Sequence, residues 1–199
     1  MTGTIPPLTF GNYYHIYNRG NNHQNVFIQE RNDAYFMDLW WKHTYPIAET
    51  YAFCLLRNHF HAAVYIKREE DLKGQKLKEP SQYFSNLFNA YTRGVNIATK
   101  RTGALFERPF ERIPVTNEAY FLTLVVYIHQ NPQKHKFVAD FRDWRHSSYH
   151  ELLADSTTRL QRTRLMELFG SRQDFVEIHQ EIQPYEELKD LTGLTNDLD

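Results

Sequence analysis

Two histidines, His59 and His61, flank Phe60 in the stretch RNHFHAAVYI at residues 57–66. The run is otherwise apolar and is typical of a β-strand, in which alternate side chains project to the same face. Two imidazoles on one strand face can bind one metal ion, although a third ligand would have to come from another element. The alternative is a pair of surface histidines, because the H-x-H spacing is short and common.

The neighbouring residues indicate that both faces of this strand are covered, because Ala62, Ala63, Val64 and Ile66 are all apolar. Buried imidazoles need polar partners, so a second buried element should carry polar groups that face them. The stretch NEAYFLTLVVYIHQNP at residues 117–132 meets this requirement. It is apolar on nearly every side and begins with a capping residue, Asn117, which predicts a buried helix.

Tyr127 and Asn131 are four residues apart, so they lie on one face of this predicted helix. The tyrosine offers a phenolic oxygen, and the asparagine offers an amide oxygen that can bind a hard divalent ion. Each residue also has a structural alternative. Tyr127 could be a core tyrosine, and Asn131 could mark a helix end, because Pro132 disfavours the helical conformation of the residue before it.

The remaining segments predict the elements that must position these residues. We expect strands at residues 8–19, 49–56 and 60–67, an irregular strand or arm at 102–115, and helices at 29–45, 80–101, 117–132, 161–169 and 172–182. This order predicts an α+β fold, a mainly antiparallel sheet with helices packed on it. A boundary near residue 155 would separate a catalytic domain, 1–155, from a small helical and acidic extension, 156–199.

The net charge of the 199-residue chain is −1, but charge is unevenly distributed. From Glu151 onwards there are 5 Lys and Arg residues against 11 Asp and Glu residues, so the preceding part is mildly basic. This pattern is typical of a nucleic-acid-binding body with a separate module, although chance imbalance is an alternative. The single cysteine excludes a disulfide framework. With neither a signal-peptide pattern nor a membrane-spanning apolar run, we expect a cytoplasmic protein.

The order and spacing of these motifs resemble the REP-associated tyrosine transposases, a group of single-tyrosine HUH transposases. The resemblance is carried by YYHIYNRGNN (13–22), LLRNHFHAAVYI (55–66), GALFERPFERIPV (103–115), VVYIHQNPQKHKFV (125–138) and DWRHSSYHELL (143–153). It covers roughly residues 8–153. It implies a ferredoxin-like or RRM-like HUH endonuclease core that cuts and rejoins single-stranded DNA beside hairpins of repeated extragenic palindromes, as a monomer or homodimer.

The resemblance also implies roles for individual residues. Tyr127 would be the nucleophile, and His59, His61 and Asn131 would bind a divalent metal, Mg²⁺ or Mn²⁺. Attack by the phenol would give a 5′-phosphotyrosine and a free 3′-hydroxyl, and reversal would join strands without ATP. The group that accepts the phenolic proton is not assigned, because His129, two residues from Tyr127, faces away from it on a helix.

Single-stranded DNA binding requires cations and aromatic faces. Phe106 and Phe110 alternate with arginines in the arm at 102–115, which is typical of a stacking surface, although a half-buried arm with exposed arginines is an alternative. The expected DNA-binding residues are Arg19, Arg93, Arg101, Arg108, Arg112 and Lys134.

Two other functions stay open at the level of sequence. One is a non-catalytic module of the same fold that only binds DNA hairpins. The other is a metal-dependent hydrolase in which the histidine pair activates water. The hydrolase would leave Tyr127 without a role, and no carboxylate at a convincing spacing offers itself as its base.

Overall fold

A four-stranded antiparallel sheet forms the centre of the computed structural model, which describes residues 6–74 and 76–181. Its strands are β1 (Tyr13–Arg19), β2 (Ala48–Leu55), β3 (His59–Ile66) and β4 (Glu111–Val115), in the spatial order β2-β3-β1-β4. Each adjacent pair is antiparallel. The predicted α+β class with a mainly antiparallel sheet is therefore confirmed.

Helices cover both faces of this sheet. They are α1 (Arg31–Thr44), α2 (Pro80–Thr99), α3 (Glu118–Lys134), α4 (Tyr149–Leu153), α5 (Arg162–Phe169) and α6 (Arg172–Gln180). Phe60 of β3 contacts Phe36 and Trp40, so α1 packs on the face to which Phe60 points, and α2 packs beside α1. On the opposite face, Tyr13 of β1 contacts Phe121 of α3. The histidine pair alternates with Phe60, so it points toward α3.

The helix α3 begins as the sequence predicts but ends later. The Asn117 side chain accepts a hydrogen bond from the Tyr120 backbone N–H at 2.8 Å, as expected of a cap. The helix then continues through Pro132 to Lys134, two residues beyond the predicted end, so the alternative that Asn131 marks a helix end is wrong. A proline in the last turn removes a single helical hydrogen bond, which a well-buried helix tolerates. Asn131 consequently lies in regular helix, fully buried.

The two short helices expected after residue 155 are present as α5 and α6, and both pack against α3. Leu165, Phe169 and Phe175 belong to the same hydrophobic core as the sheet. The division into domains at residue 155 stays a prediction, and the acidic stretch 182–199 lies outside the described residues. Within the described ranges, no helix is long and apolar enough to cross a lipid bilayer.

A buried series of hydrogen bonds connects α6 to the side of α3 that faces away from Tyr127. His179 Nδ1 lies 2.7 Å from the Phe175 carbonyl oxygen, which can only accept, so this nitrogen carries the proton. Burial lowers the pKa of His129 and of His179, so each ring holds one proton at neutral pH. His179 Nε2 therefore accepts from His129 Nδ1 at 2.8 Å, and His129 Nε2 accepts from Ser148 Oγ at 2.8 Å.

Replacing Ser148 with alanine should destabilise the fold, because two buried groups lose their partner. Its hydroxyl donates to His129 Nε2 and accepts from the Phe53 backbone N–H at 2.9 Å. We expect Ser148→Ala to lower the free energy of unfolding by about 2–4 kcal/mol, measured by urea denaturation. Ser147→Ala is the matched control, because Ser147 Oγ makes one longer bond, 3.3 Å, to the Trp144 carbonyl oxygen. Equal stability of the two variants would contradict the prediction.

Candidate functional site

The histidine pair lies in the middle of the sheet and is covered by α3. His61 is opposite Tyr17 and His59 is opposite Arg19 in the pairing of β3 with β1. Only 2% of the His59 surface is exposed, and none of His61. The alternative of surface histidines on a solvated face is therefore wrong. Both imidazoles instead belong to a buried polar site between the sheet and α3.

The helix α3 brings both predicted polar residues to this site. The Tyr127 ring lies 5.5 Å from the His61 ring, centroid to centroid, and is almost completely buried. One helical turn later, Asn131 Oδ1 lies 3.4 Å from His59 Nε2. The structure thus brings together all four residues predicted to carry the chemistry.

The protonation of His59 follows from its neighbours. Its Nδ1 lies 2.8 Å from Asn58 Oδ1, an oxygen that can only accept, so Nδ1 carries a proton. Burial, with a smaller contribution from the nearby His135, lowers the pKa of His59 to about 3. The ring is therefore neutral at pH 7, and its Nε2 presents a lone pair to the Asn131 amide oxygen. Two acceptors facing each other in a buried site attract a proton donor or a cation.

His61 has a similar arrangement with a different partner. Its Nδ1 lies 2.9 Å from Nε2 of His15, a residue of β1 that is also fully buried. Burial holds the pKa of His61 well below its ordinary value, so this imidazole is neutral too. Within the described part of the chain, His61 Nε2 has no hydrogen-bond partner. A buried polar atom without a partner is uncommon and calls for a ligand, an ion or a water molecule.

These atoms fit a divalent metal ion. The donor set is two neutral imidazole nitrogens and one amide oxygen, and ligands about 2.1 Å from an octahedral ion lie about 3 Å apart, near the observed 3.4 Å between His59 Nε2 and Asn131 Oδ1. In residues 6–74 and 76–181, no cluster of three His, Cys, Asp or Glu side chains is arranged to hold a metal. A metal site here therefore depends on the amide of Asn131.

Two of the six predicted DNA-binding residues lie beside this site. Arg19 follows the histidine face of β1, and its Nε donates to Glu107 Oε1 at 2.8 Å. The Lys134 Nζ atom lies 5.0 Å from the centroid of the Tyr127 ring. Arg19 is thus opposite His59 in the strand pairing, and Lys134 is near the phenol ring.

The structure does not bring the other four to the histidine pair. Arg93 lies on α2, Arg101 and Arg108 lie between α2 and β4, and Arg112 lies in β4. The Arg101 guanidinium donates to Asn96 Oδ1 and Gln24 Oε1, both at 2.7 Å, so it also ties parts of the fold together.

The expected stacking role of Phe106 and Phe110 is wrong, because both rings are buried in the core and pack against Phe88. Arg108, between them, is exposed, whereas Arg112 is partly buried and its Nε donates to the Pro6 carbonyl oxygen at 2.8 Å. Arg108 donates to Asn89 Oδ1 at 3.0 Å, and the Arg112 guanidinium lies 4.6 Å from the centroid of Phe110. These two arginines line a cavity of about 440 Å³ whose wall also includes Asn18, Ser85 and Asn89.

Sequence reasoning missed three residues that complete the site. Asn58 orients His59, His15 contacts His61, and Tyr17 packs beside His15 and His61 with ring centroids 4.9 and 5.6 Å away. The alternation in YYHIY does put His15 and Tyr17 on one strand face. The register between β1 and β3, which sets them against His61, is a tertiary property.

Comparison with known proteins agrees with this geometry. No protein-family model matches the chain. A protein of Haemophilus influenzae, which carries the name REP-associated tyrosine transposase provisionally, is 25% identical over 136 residues, covering 63% of this chain and 77% of that protein. A solved structure of a REP-associated tyrosine transposase bound to a REP hairpin superposes with a TM-score of 0.61 at 17% identity, covering 78% of this chain and 87% of the other.

The resemblance of this chain to REP-associated tyrosine transposases is confirmed. The sequence relative supports it over most of the length of that protein, and the solved structure supports the fold.

Stability should fall as the pH falls below about 6.5, because burial lowers the pKa of several histidines in the native state. The affected residues are His15 and His59 (to about 3), His179 (to about 4), His61 and His129. At a pH between these native-state pKa values and 6.5, the histidines bind protons in the unfolded chain but not in the native state. We expect a loss of roughly 1 kcal/mol per histidine between pH 7.5 and pH 5.5, measured by urea denaturation in EDTA. Equal unfolding free energies at the two pH values would contradict this.

Proposed function

We propose that this chain is a metal-dependent single-stranded DNA endonuclease and strand transferase, a transposase that cuts beside DNA hairpins through a 5′-phosphotyrosine intermediate. The observation that carries the proposal is the position of the Tyr127 phenol ring against His61, on the buried sheet face where His59 and Asn131 also meet. The names of the Haemophilus influenzae relative and of the hairpin-bound structure support the same activity.

In this proposal Tyr127 supplies the attacking oxygen. A phenol has a pKa near 10 and is a weak nucleophile at neutral pH, so the site must compensate. His59, His61 and Asn131 would hold Mg²⁺ or Mn²⁺, which supplies charge neutralisation at the scissile phosphate. Arg19, opposite His59, and Lys134, near the Tyr127 ring, would add positive charge near that phosphate. Tyr127 projects from α3 toward the sheet and is buried there, which restricts its ring and lowers the entropy cost of attack.

The chemistry balances without an external energy source. The phenolic oxygen forms a bond to phosphorus, and the bond from phosphorus to the 3′ oxygen breaks. The phenol loses one proton and the departing 3′-hydroxyl gains one. The phosphotyrosine bond retains the energy of the phosphodiester, so a 3′-hydroxyl from another strand can attack it and complete the transfer.

Hairpin binding is proposed for the remaining basic residues. Arg93, Arg101, Arg108 and Arg112 lie on the α2 side, where duplex phosphates would have room that the buried histidine face lacks. Their contacts with phosphate would supply most of the affinity and make it fall with rising salt concentration. The polar cavity beside Arg108 and Arg112 provides hydrogen-bonding groups next to these cations.

A single copy of the chain contains every proposed catalytic residue on one face, because β3 and α3 of the same chain supply them. This favours a monomeric enzyme over a homodimer that exchanges its tyrosine helix. We therefore propose a monomer, with a homodimer as the alternative, in the cytoplasm.

Replacing Tyr127 with phenylalanine should abolish covalent attachment to DNA and preserve hairpin binding. Phenylalanine keeps the ring that packs on His61 and removes only the nucleophilic oxygen. The measurement is a denaturing gel after incubation of a labelled hairpin with a single-stranded flank and Mn²⁺. Tyr17→Phe is the matched control, because Tyr17 also borders His61 and this change removes one hydroxyl. It should still form the covalent band.

Three outcomes of this denaturing gel, with a native gel of the same mixture, separate the proposed enzyme from its alternatives. A covalent band in the unmodified chain that is absent only from Tyr127→Phe supports the transferase. A mobility shift on a native gel without any covalent product would favour a hairpin-binding module. Strand cleavage that persists in Tyr127→Phe would favour a hydrolase that activates water with the histidine pair.

A further inference from the structure

We propose that His15 is a positioning residue for the metal site. Its Nε2 accepts a hydrogen bond from His61 Nδ1–H, which leaves the lone pair of His61 Nε2 available to the metal. This inference rests on the proposed function, because it concerns the same site. It assigns a role to a residue outside the predicted set of His59, His61 and Asn131.

The geometry isolates the two rings as a pair. His15 lies on β1 opposite Ala63, so it is the diagonal neighbour of His61 across the strand pair. His15 Nε2 and His61 Nδ1 are 2.9 Å apart, and both side chains are fully buried. The two outer nitrogens, His15 Nδ1 and His61 Nε2, have no hydrogen-bond partner among the described residues. The pair is therefore connected internally, and its outer atoms lack hydrogen bonds.

The proton count allows two arrangements of two neutral rings. In one, His61 Nδ1–H donates to His15 Nε2, so His61 Nε2 presents a lone pair. In the other, His15 Nε2–H donates to His61 Nδ1, so His61 Nε2 carries a hydrogen and cannot bind a metal. A cation at His61 Nε2 selects the first arrangement. The acceptor on His15 is what makes that arrangement available, because both rings are fully buried.

The surroundings hold His15 in place for this role. Its ring is nearly parallel to that of His61, at 27° and 5.0 Å between centroids, and it packs against Tyr17 at 4.9 Å. The edge of its ring also meets Tyr127 at 6.2 Å. A hydrogen bond to the far nitrogen of a metal-binding histidine fixes its tautomer and raises its basicity, and losing such a bond typically costs 10–100-fold in metal affinity.

The test measures Mn²⁺ binding to the full chain by isothermal titration calorimetry, without DNA. His15→Leu fills a similar space without an acceptor and should weaken Mn²⁺ binding about 10–100-fold. His15→Gln keeps a side-chain oxygen that can accept from His61 Nδ1–H, and its affinity should stay within about 3-fold of the unmodified chain. Hairpin affinity in EDTA, which reports the DNA contacts, should be the same for all three proteins.

Each outcome decides the inference. Unchanged Mn²⁺ affinity in His15→Leu would overturn the role of His15 and leave the metal site intact. Equal weakening by leucine and glutamine would also overturn it, because packing rather than the hydrogen bond would then explain the loss. His59→Ala identifies the site: if it leaves Mn²⁺ binding unchanged, or if the unmodified chain binds no Mn²⁺, the proposed metal site falls and the role of His15 falls with it.

A second measurement needs no variant and covers the case in which His15→Leu fails to fold. Nitrogen NMR of the histidine-labelled chain with Mg²⁺ distinguishes protonated from unprotonated ring nitrogens. The inference requires a proton on His61 Nδ1 and none on His61 Nε2. A proton on Nε2 of His61 in the presence of Mg²⁺ would overturn it.

Discussion

The burial of imidazoles between the sheet and α3 is the constraint on which the rest of this structure depends. Imidazoles deprived of water must find hydrogen bonds or a cation, and the cost of leaving them without partners is a large part of a typical folding free energy. The chain meets part of this demand with Asn58 beside His59 and His15 beside His61, and it leaves His59 Nε2 facing the amide oxygen of Asn131. The same helix that buries the imidazoles also carries the Tyr127 phenol, so the burial of the site and the position of the proposed nucleophile have one origin.

On the side of α3 that faces away from Tyr127, buried imidazoles are also present, but all their ring nitrogens are hydrogen-bonded. There His129, Ser148 and His179 satisfy one another in a single direction that ends at a backbone carbonyl oxygen. Every ring nitrogen in this series of hydrogen bonds has a partner, whereas the site around His59 and His61 keeps polar atoms without hydrogen bonds. The contrast separates a structural cluster from a candidate binding site, because natural cores rarely leave polar atoms unpaired without a functional reason. It also shows how α6, which lies after the segment that carries the family resemblance, contributes to holding α3 in place.

Much of this arrangement could be predicted from the sequence. Strict alternation places His59 and His61 on one strand face, and helical periodicity places Tyr127 with Asn131, so local geometry is sufficient for each pair. What local geometry cannot supply is the register between strands or the contact between distant segments. His15 reaches His61 only through the pairing of β1 with β3, and His179 lies 50 residues from His129. The alternative that Asn131 marks a helix end is wrong, because tertiary burial outweighs the local preference imposed by Pro132.

The most direct test of the central claim is anomalous X-ray diffraction from crystals of the full chain grown with Mn²⁺. A buried ion between the sheet and α3 is expected to give an anomalous peak within bonding distance of His59 Nε2, His61 Nε2 and Asn131 Oδ1, on the side of the sheet that holds the Tyr127 ring. An anomalous peak at some other site, with these three atoms hydrogen-bonded to one another or to water, would contradict the claim that paired imidazoles beneath the tyrosine helix form a metal site.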